Sequence, residues 1–160
     1  MLENEDPLVS FDRLSAEVHA GGETGALVRW SAQGGVRPDA AGQSSVWMHL
    51  RAALDLPVGC QRCLGPVLVP LEVDRWFRFV ADESRAEAED DQSEEDVLAL
   101  EPKPDLLALI EDELLMAIPL VPMHDVCPQP LPLSAGRVSG DEAASEARPN
   151  PFATLSGLKK

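Results

Sequence analysis

The stretch Val46-Trp47-Met48-His49-Leu50-Arg51-Ala52-Ala53-Leu54-Asp55-Leu56-Pro57-Val58-Gly59-Cys60, with its return Val67-Leu68-Val69-Pro70-Leu71-Glu72-Val73-Asp74-Arg75-Trp76-Phe77-Arg78-Phe79-Val80, decides the fold. In the first arm Val46, Met48, Leu50, Ala52, Leu54, Leu56, Val58 and Cys60 share one parity. Trp47, His49, Arg51 and Asp55 share the other. Period-two alternation of this length marks a strand with one buried face. In the second arm Val67, Val69, Leu71, Val73, Phe77 and Phe79 form the apolar face, interrupted by Arg75. Cys60-Gln61-Arg62-Cys63-Leu64-Gly65-Pro66 lies between the arms as a tight turn, with glycine and proline supplying the turn chemistry. Pro57 sets a break or an edge near the end of the first arm. The pattern is that of a long antiparallel hairpin.

Around the hairpin the chain changes character. Residues 1 to about 45 are weakly patterned, with Ala26–Trp30 a candidate strand between turns at Gly21-Gly22 and Gly34-Gly35. Asp82 to Asp96 carries nine acids and one arginine, Arg85, which predicts a mobile acidic loop. Such a loop can be simply solvated, can engage a basic partner, or can imitate a phosphate backbone. Pro104 and Asp105 open a helix that Pro119 closes. Leu106, Leu107, Ile110, Leu114, Ala117 and Ile118 make its apolar stripe, Glu111 and Asp112 fall outside it, and Glu113 sits at its margin. A carboxylate so placed needs a partner to stay charged, and Arg75 on the buried face of the hairpin is the candidate for a structural ion pair with Glu113.

These elements predict an α+β fold: a twisted antiparallel sheet, open or curled toward a barrel, centred on the hairpin and packed by one main helix over 105–118. The expected organisation is a single domain over 1–127, a flexible linker over 128–148 and a docking motif over 149–160. In that motif Asn150 can cap and Pro151 can open a short helix, which would carry Phe152, Leu155 and Leu158 at spacing three. It would dock on a partner or fold back on its own domain.

The three cysteines and one of the three histidines fall in two short pairs, Cys60 with Cys63 and His124 with Cys127. Two close pairs from separate segments suit one structural Zn²⁺ ion, with all four positions filled by protein. The same residues also read as reduced, partly buried thiols without metal. A thiol oxidoreductase using Cys60 and Cys63 is the third reading. Against it, reactive thiols usually sit at a helix N-terminus and no helix follows Cys63, although Arg62 would lower a neighbouring thiol pKa. His19 and His49 have no nucleophile or acid pattern around them, and no phosphate-cradling loop or metalloprotease helix is present. No enzyme is expected.

The chain is 160 residues long, with 28 acidic and 13 basic side chains and a formal net charge of −15. Nucleic-acid binding rests on cationic faces that release counterions from phosphate, and there is no basic block here. Three tryptophans, four phenylalanines and no tyrosine leave little for base stacking. A basic protein is the simplest partner for such a surface, while plain solubility accounts for the same charge. Direct binding to a nucleic acid would have to use Arg51, Arg62, Arg75, Arg78 and the terminal lysines. No apolar run is long enough for a membrane span, the acidic start is unlike a secretory signal, and odd, paired cysteines fit a reducing compartment. A cytoplasmic protein is expected.

Four motifs in order resemble one family. They are Cys60-Gln61-Arg62-Cys63 after the alternating strand, Ile110-Glu111-Asp112-Glu113-Leu114-Leu115, Leu120-Val121-Pro122-Met123-His124-Asp125, and Pro149-Asn150-Pro151-Phe152-Ala153. Together they resemble the YceD family, proteins associated with accumulation of the 23S ribosomal RNA of the large subunit, over roughly residues 45 to 160. The resemblance implies a bacterial cytoplasmic factor in large-subunit biogenesis with no defined catalytic activity. Its genes commonly neighbour that of a small basic ribosomal protein. A basic ribosomal protein, an rRNA-processing factor or 23S rRNA precursor is then the expected partner. Some branches carry further cysteines after the helix, where this chain offers only His124 and Cys127.

Overall fold

The computed structural model describes residues 1–128 apart from 21, 23, 24, 39–41, 43, 101 and 103. The linker and the docking motif with Asn150, Pro151, Phe152, Leu155 and Leu158 lie outside the described residues, Pro128 excepted. The hairpin is β3 (Ser44–Gly59) and β4 (Pro66–Val80), paired without a bulge from Val46↔Phe79 to Gly59↔Pro66. Leu50, Leu54, Leu56, Leu71 and Phe77 are almost fully buried, so the alternation seen in the sequence is the core face of the sheet.

Two further strands extend the sheet from the N-terminal third. β2 (Leu27–Pro38) pairs with β3, and β1 (Leu2–Pro7) pairs with β2, both antiparallel. Gly34-Gly35 is therefore no turn: both residues continue β2 opposite Met48 and Trp47. Long-range pairing with a strong neighbour overrides their weak strand propensity. The pairing of β2 with β3 ends at Ala53, so Pro57 lies where β3 has lost that neighbour, and a missing donor does no harm there.

The strand order is β1-β2-β3-β4-β5, with β5 (Asp96–Ala99) running parallel to β4. The expectation of a purely antiparallel sheet curling toward a barrel is thus corrected. The sheet is mixed and open, because its last strand returns through a crossover, is only four residues long, and pairs only with β4.

That crossover also corrects the mobile acidic loop. α2 (Glu83–Asp90) forms inside it, capped by Asp82, whose carboxylate accepts from the Arg85 backbone N–H. Ala86 packs with Val80 and Val97 in a small apolar cluster separate from the main core. The decisive group is Arg78, only 5% exposed, which donates to Glu95 (2.7 Å), Glu89 (2.6 Å) and the Ser93 hydroxyl (2.9 Å). A fixed cation beneath them cancels the self-repulsion expected of the acids.

On the core face lie α3 (Leu106–Met116) and the short α1 (Asp12–Ala16). Asp105 caps α3 by accepting from Ala108 N, and Ile110 and Leu114 are fully buried. Two details differ from the wheel. Leu107 is exposed, and Glu111, expected outside the stripe, is buried. Its carboxylate accepts from the backbone N–H groups of Arg13 (2.8 Å) and Leu14 (3.0 Å) and from Arg13 Nε (3.0 Å). It acts as a cap supplied from a distant helix to the start of α1, whose own N-cap, Phe11, has no side-chain acceptor.

Candidate functional site: a cluster of three cysteines and a histidine

The turn that closes the hairpin has its own local logic. Leu64 N donates to Cys60 O and Cys60 N to Gly65 O, each at 2.8 Å, which folds Cys60 and Cys63 onto one side of the tip. Leu64 adopts the left-handed conformation (φ 60) that such a reversal needs. Across from it runs the segment leaving α3, held against the tip by Gln61 N donating to Pro122 O at 2.9 Å. The helix has ended before Pro119, and the irregular, bent segment beyond it presents His124 and Cys127 to the turn.

The result is that one ligand atom from each of Cys60, Cys63, His124 and Cys127 lies within 4.8 Å of all the others. Tetrahedral zinc with Zn–S near 2.3 Å and Zn–N near 2.0 Å separates its ligand atoms by about 3.5–3.8 Å. The 3.5 Å between Cys63 Sγ and His124 Nδ1 already matches one such edge. Cys60 is fully buried, and Cys63, His124 and Cys127 are half-buried. Such a donor set, closed on four sides by protein, could hold a metal ion.

Electrostatics point the same way. Burial opposes ionisation of Cys60. The backbone N–H groups of Cys63, His124 and Arg62, and the His124 imidazole, nevertheless draw its pKa down to about 5. Cys127 is shifted upward, by burial and by the Cys63 and Cys60 sulfurs, with Arg62 opposing. The same surroundings favour ionisation at Cys60 and oppose it at Cys127. A divalent ion removes that conflict by deprotonating the thiols it binds.

Arg62, between the two cysteines, braces the site from outside. Its Nε donates to Cys127 Sγ (3.1 Å), and its terminal nitrogen donates to the carbonyls of Asp125 (3.2 Å) and His124. It therefore holds the His124–Cys127 loop as a supporting group does in metal sites. The other residues singled out from the sequence are scattered. Arg51 bonds Asp74 at 3.1 Å on the solvent side of the sheet. Arg78 is buried beneath α2 on Glu89, Glu95 and Ser93. Arg75 Nε lies 3.7 Å from Glu113, and Arg75 also reaches Asp96 at 3.8 Å. Burial pushes the Glu113 carboxyl above the usual range, with Asp96 and Asp112 adding to the rise and Arg75 only partly opposing it. His19 contacts the Leu64 carbonyl (3.0 Å), and His49 stacks on Trp76 with ring centroids 4.3 Å apart. No helix among the described residues is long and apolar enough to cross a membrane.

The fold and site define a small α+β domain in which a hairpin tip and a post-helix segment converge on a Cys₃His cluster. The chain belongs to the YceD family, whose model, described as "Large ribosomal RNA subunit accumulation protein YceD", matches residues 48–159. It is similar to the large ribosomal RNA subunit accumulation protein YceD of Haemophilus influenzae, with 33% identity over 120 residues, covering 74% of this chain and 68% of that protein. No solved structure matches. The matched region takes in β3, β4, α3 and all four members of the cluster, whereas β1, α1 and β2 lie before it.

Proposed function

We propose that the chain is a non-enzymatic cytoplasmic factor supporting accumulation of large-subunit ribosomal RNA, acting as an acidic adaptor for a basic ribosomal or processing protein. Family membership supports the role in ribosomal RNA accumulation. The observation that carries the adaptor reading is that the four arginines singled out for phosphate contact already have partners within the chain. Arg78 is buried on carboxylates, Arg62 is bound to carbonyls and a sulfur, and Arg51 and Arg75 lie beside acids. An RNA-binding face needs cations that exchange counterions with phosphate, and paired ones contribute little. The solvated acids of α2 and β1 offer the opposite potential, which steers basic partners toward the surface.

In this reading the four-residue cluster holds one structural Zn²⁺, and the ion locks the hairpin tip to the segment leaving α3. Cys60, Cys63, His124 and Cys127 would fill its shell and leave no position for substrate water. The site would therefore serve folding rather than catalysis. Capture of partners from cell extract, set against gel-shift titration on 23S rRNA fragments, tests the proposal. Recovery of basic ribosomal proteins with weak RNA binding is expected. Tight, salt-sensitive RNA binding by the isolated chain would reverse the assignment.

A further inference from the structure

β1 is an open edge. It pairs with β2 over all six residues from Leu2↔Ala32 to Pro7↔Leu27, and nothing among the described residues pairs with its other side. It has no bulge, and its one proline stands at its end. An edge of this kind presents a row of backbone donors and acceptors that another extended segment can complete. Its side chains state which segment. Glu3 and Glu5 point to the face away from the core and are exposed, Glu3 opposite Ser31 and Glu5 opposite Arg29 of β2, and neither makes a close ion pair among the described residues. On the opposite face, Asn4 and Asp6 border a cleft that Trp30, Pro104, Leu106 and the exposed Leu107 complete.

We propose that the β1 edge is a strand-addition site for an extended polypeptide in which basic residues alternate with apolar ones. The basic side chains would stand beside Glu3 and Glu5, and the apolar ones would enter the cleft at Leu106 and Leu107. Main-chain hydrogen bonds supply affinity in this mode, and the alternate side chains supply selectivity. A second copy of the chain is a poor occupant. Antiparallel self-pairing centred on Asn4 sets Glu3 opposite Glu5 twice over, and like charges directly opposed are destabilising. The same acids that repel a copy attract a cationic strand, so one charge pattern excludes aggregation and selects a partner. The inference rests on the adaptor reading above and assigns the surface and the mode of binding.

The test uses the full chain with two capped octapeptides of equal composition, one alternating lysine and valine, the other with its lysines and valines in separate blocks. The alternating peptide is expected to protect backbone amides of Leu2–Asp6 from hydrogen exchange and to bind at least tenfold more tightly than the blocked one. Doubly reversed Glu3→Lys/Glu5→Lys should lose that binding tenfold or more and gain it for an alternating glutamate–valine peptide. Both positions are exposed, so the variant keeps its fold, which circular dichroism verifies. Equal binding of the two lysine peptides, or protection confined to 83–96, would overturn the proposal. So would single-stranded RNA protecting β1 in the peptide's place. If the doubly reversed chain still captures basic ribosomal proteins unchanged, the edge assignment falls while the adaptor reading stands. If the native chain captures none, the adaptor reading itself falls.

Discussion

Replacing Arg78 by methionine isolates what orders the acidic arm. The substitution keeps an unbranched stem against the sheet and deletes the guanidinium that binds Glu89, Glu95 and Ser93. Removing one partner of a fully buried ion pair costs about 3–5 kcal/mol. Glu89 and Glu95 retain 31% and 20% side-chain exposure, so they rehydrate in part, and a loss of about 2–3 kcal/mol is the appropriate figure. Against this the arm has the Val80, Ala86 and Val97 cluster, a four-residue strand whose Leu98 touches the main core, and the Asp90 carboxylate accepting from Val97 N–H. The arm should therefore open locally while the main core, which shares none of these three residues, stays closed.

Hydrogen exchange reads this directly. A loss of that size corresponds to a fall of roughly 30- to 150-fold in amide protection over 83–99, with protection in β3 and α3 unchanged. The native arm should also open in acid. Arg78 first, then Arg85, holds the Glu89 carboxyl below its ordinary range. Its contribution is complete above that range and is lost as pH falls through the depressed value. Arg78→Met should weaken this acid dependence, leaving the smaller part that Arg85 supplies. Unchanged protection over 83–99 would refute the reasoning, as would an equal loss across the whole sheet.

Three further outcomes are expected. Glu111→Ala should destabilise the chain by about 2–3 kcal/mol in urea unfolding, because it orphans the buried Leu14 N–H and an Arg13 contact, and glutamine should restore only part. Glu113→Gln should leave stability at neutral pH equal or higher. The native carboxyl titrates above its unfolded value, so its charged form costs stability as pH rises through that shifted value, and the glutamine chain should show a flatter profile from acid to neutral pH. Native chain purified without chelators should carry close to one zinc per molecule, and Cys60→Ser should lower both zinc content and melting temperature; metal analysis finding none would remove the site.

What the sequence made legible was what local patterning controls. Fifteen residues of alternation in one arm and fourteen in the other fix parity, and parity carries the register from Val46↔Phe79 to Gly59↔Pro66. The close-spaced ligands were legible too, since a hairpin tip and a post-helix segment are both local geometries. The misses share one cause, a partner that sits on a different element. α1 is five residues long, too short to stand alone, and its cap comes from Glu111, 98 positions beyond Arg13. The order of 82–96 depends on Arg78, which parity alone assigns to the solvent face of β4 and which α2 then covers. A signal existed: an arginine on a strand followed at once by nine acids and one cation is a charge imbalance that folding can resolve.

Charge is sorted in this molecule rather than spread. Arg29 stands exposed on β2 across from Glu5; of the other described arginines, Arg13, Arg51, Arg75, Arg78 and Arg85 stand against carboxylates, Arg62 against carbonyls and a sulfur, and Arg37 over the Trp76 ring at 4.1 Å. Each joins elements distant along the chain or braces a turn of helix, so the cations act as internal cross-links. The acids outnumber them, and the surplus stands in solvent, on β1 and α2 at opposite margins of the sheet and at scattered positions such as Glu17, Asp55 and Glu72. Neutralising the chain by adding surface lysines would therefore differ physically from restoring balance. It would leave every internal cross-link intact and remove only the outward negative field. Stability should be nearly unchanged by such substitutions, while recognition of a basic partner should fall with each acid lost and become less sensitive to salt.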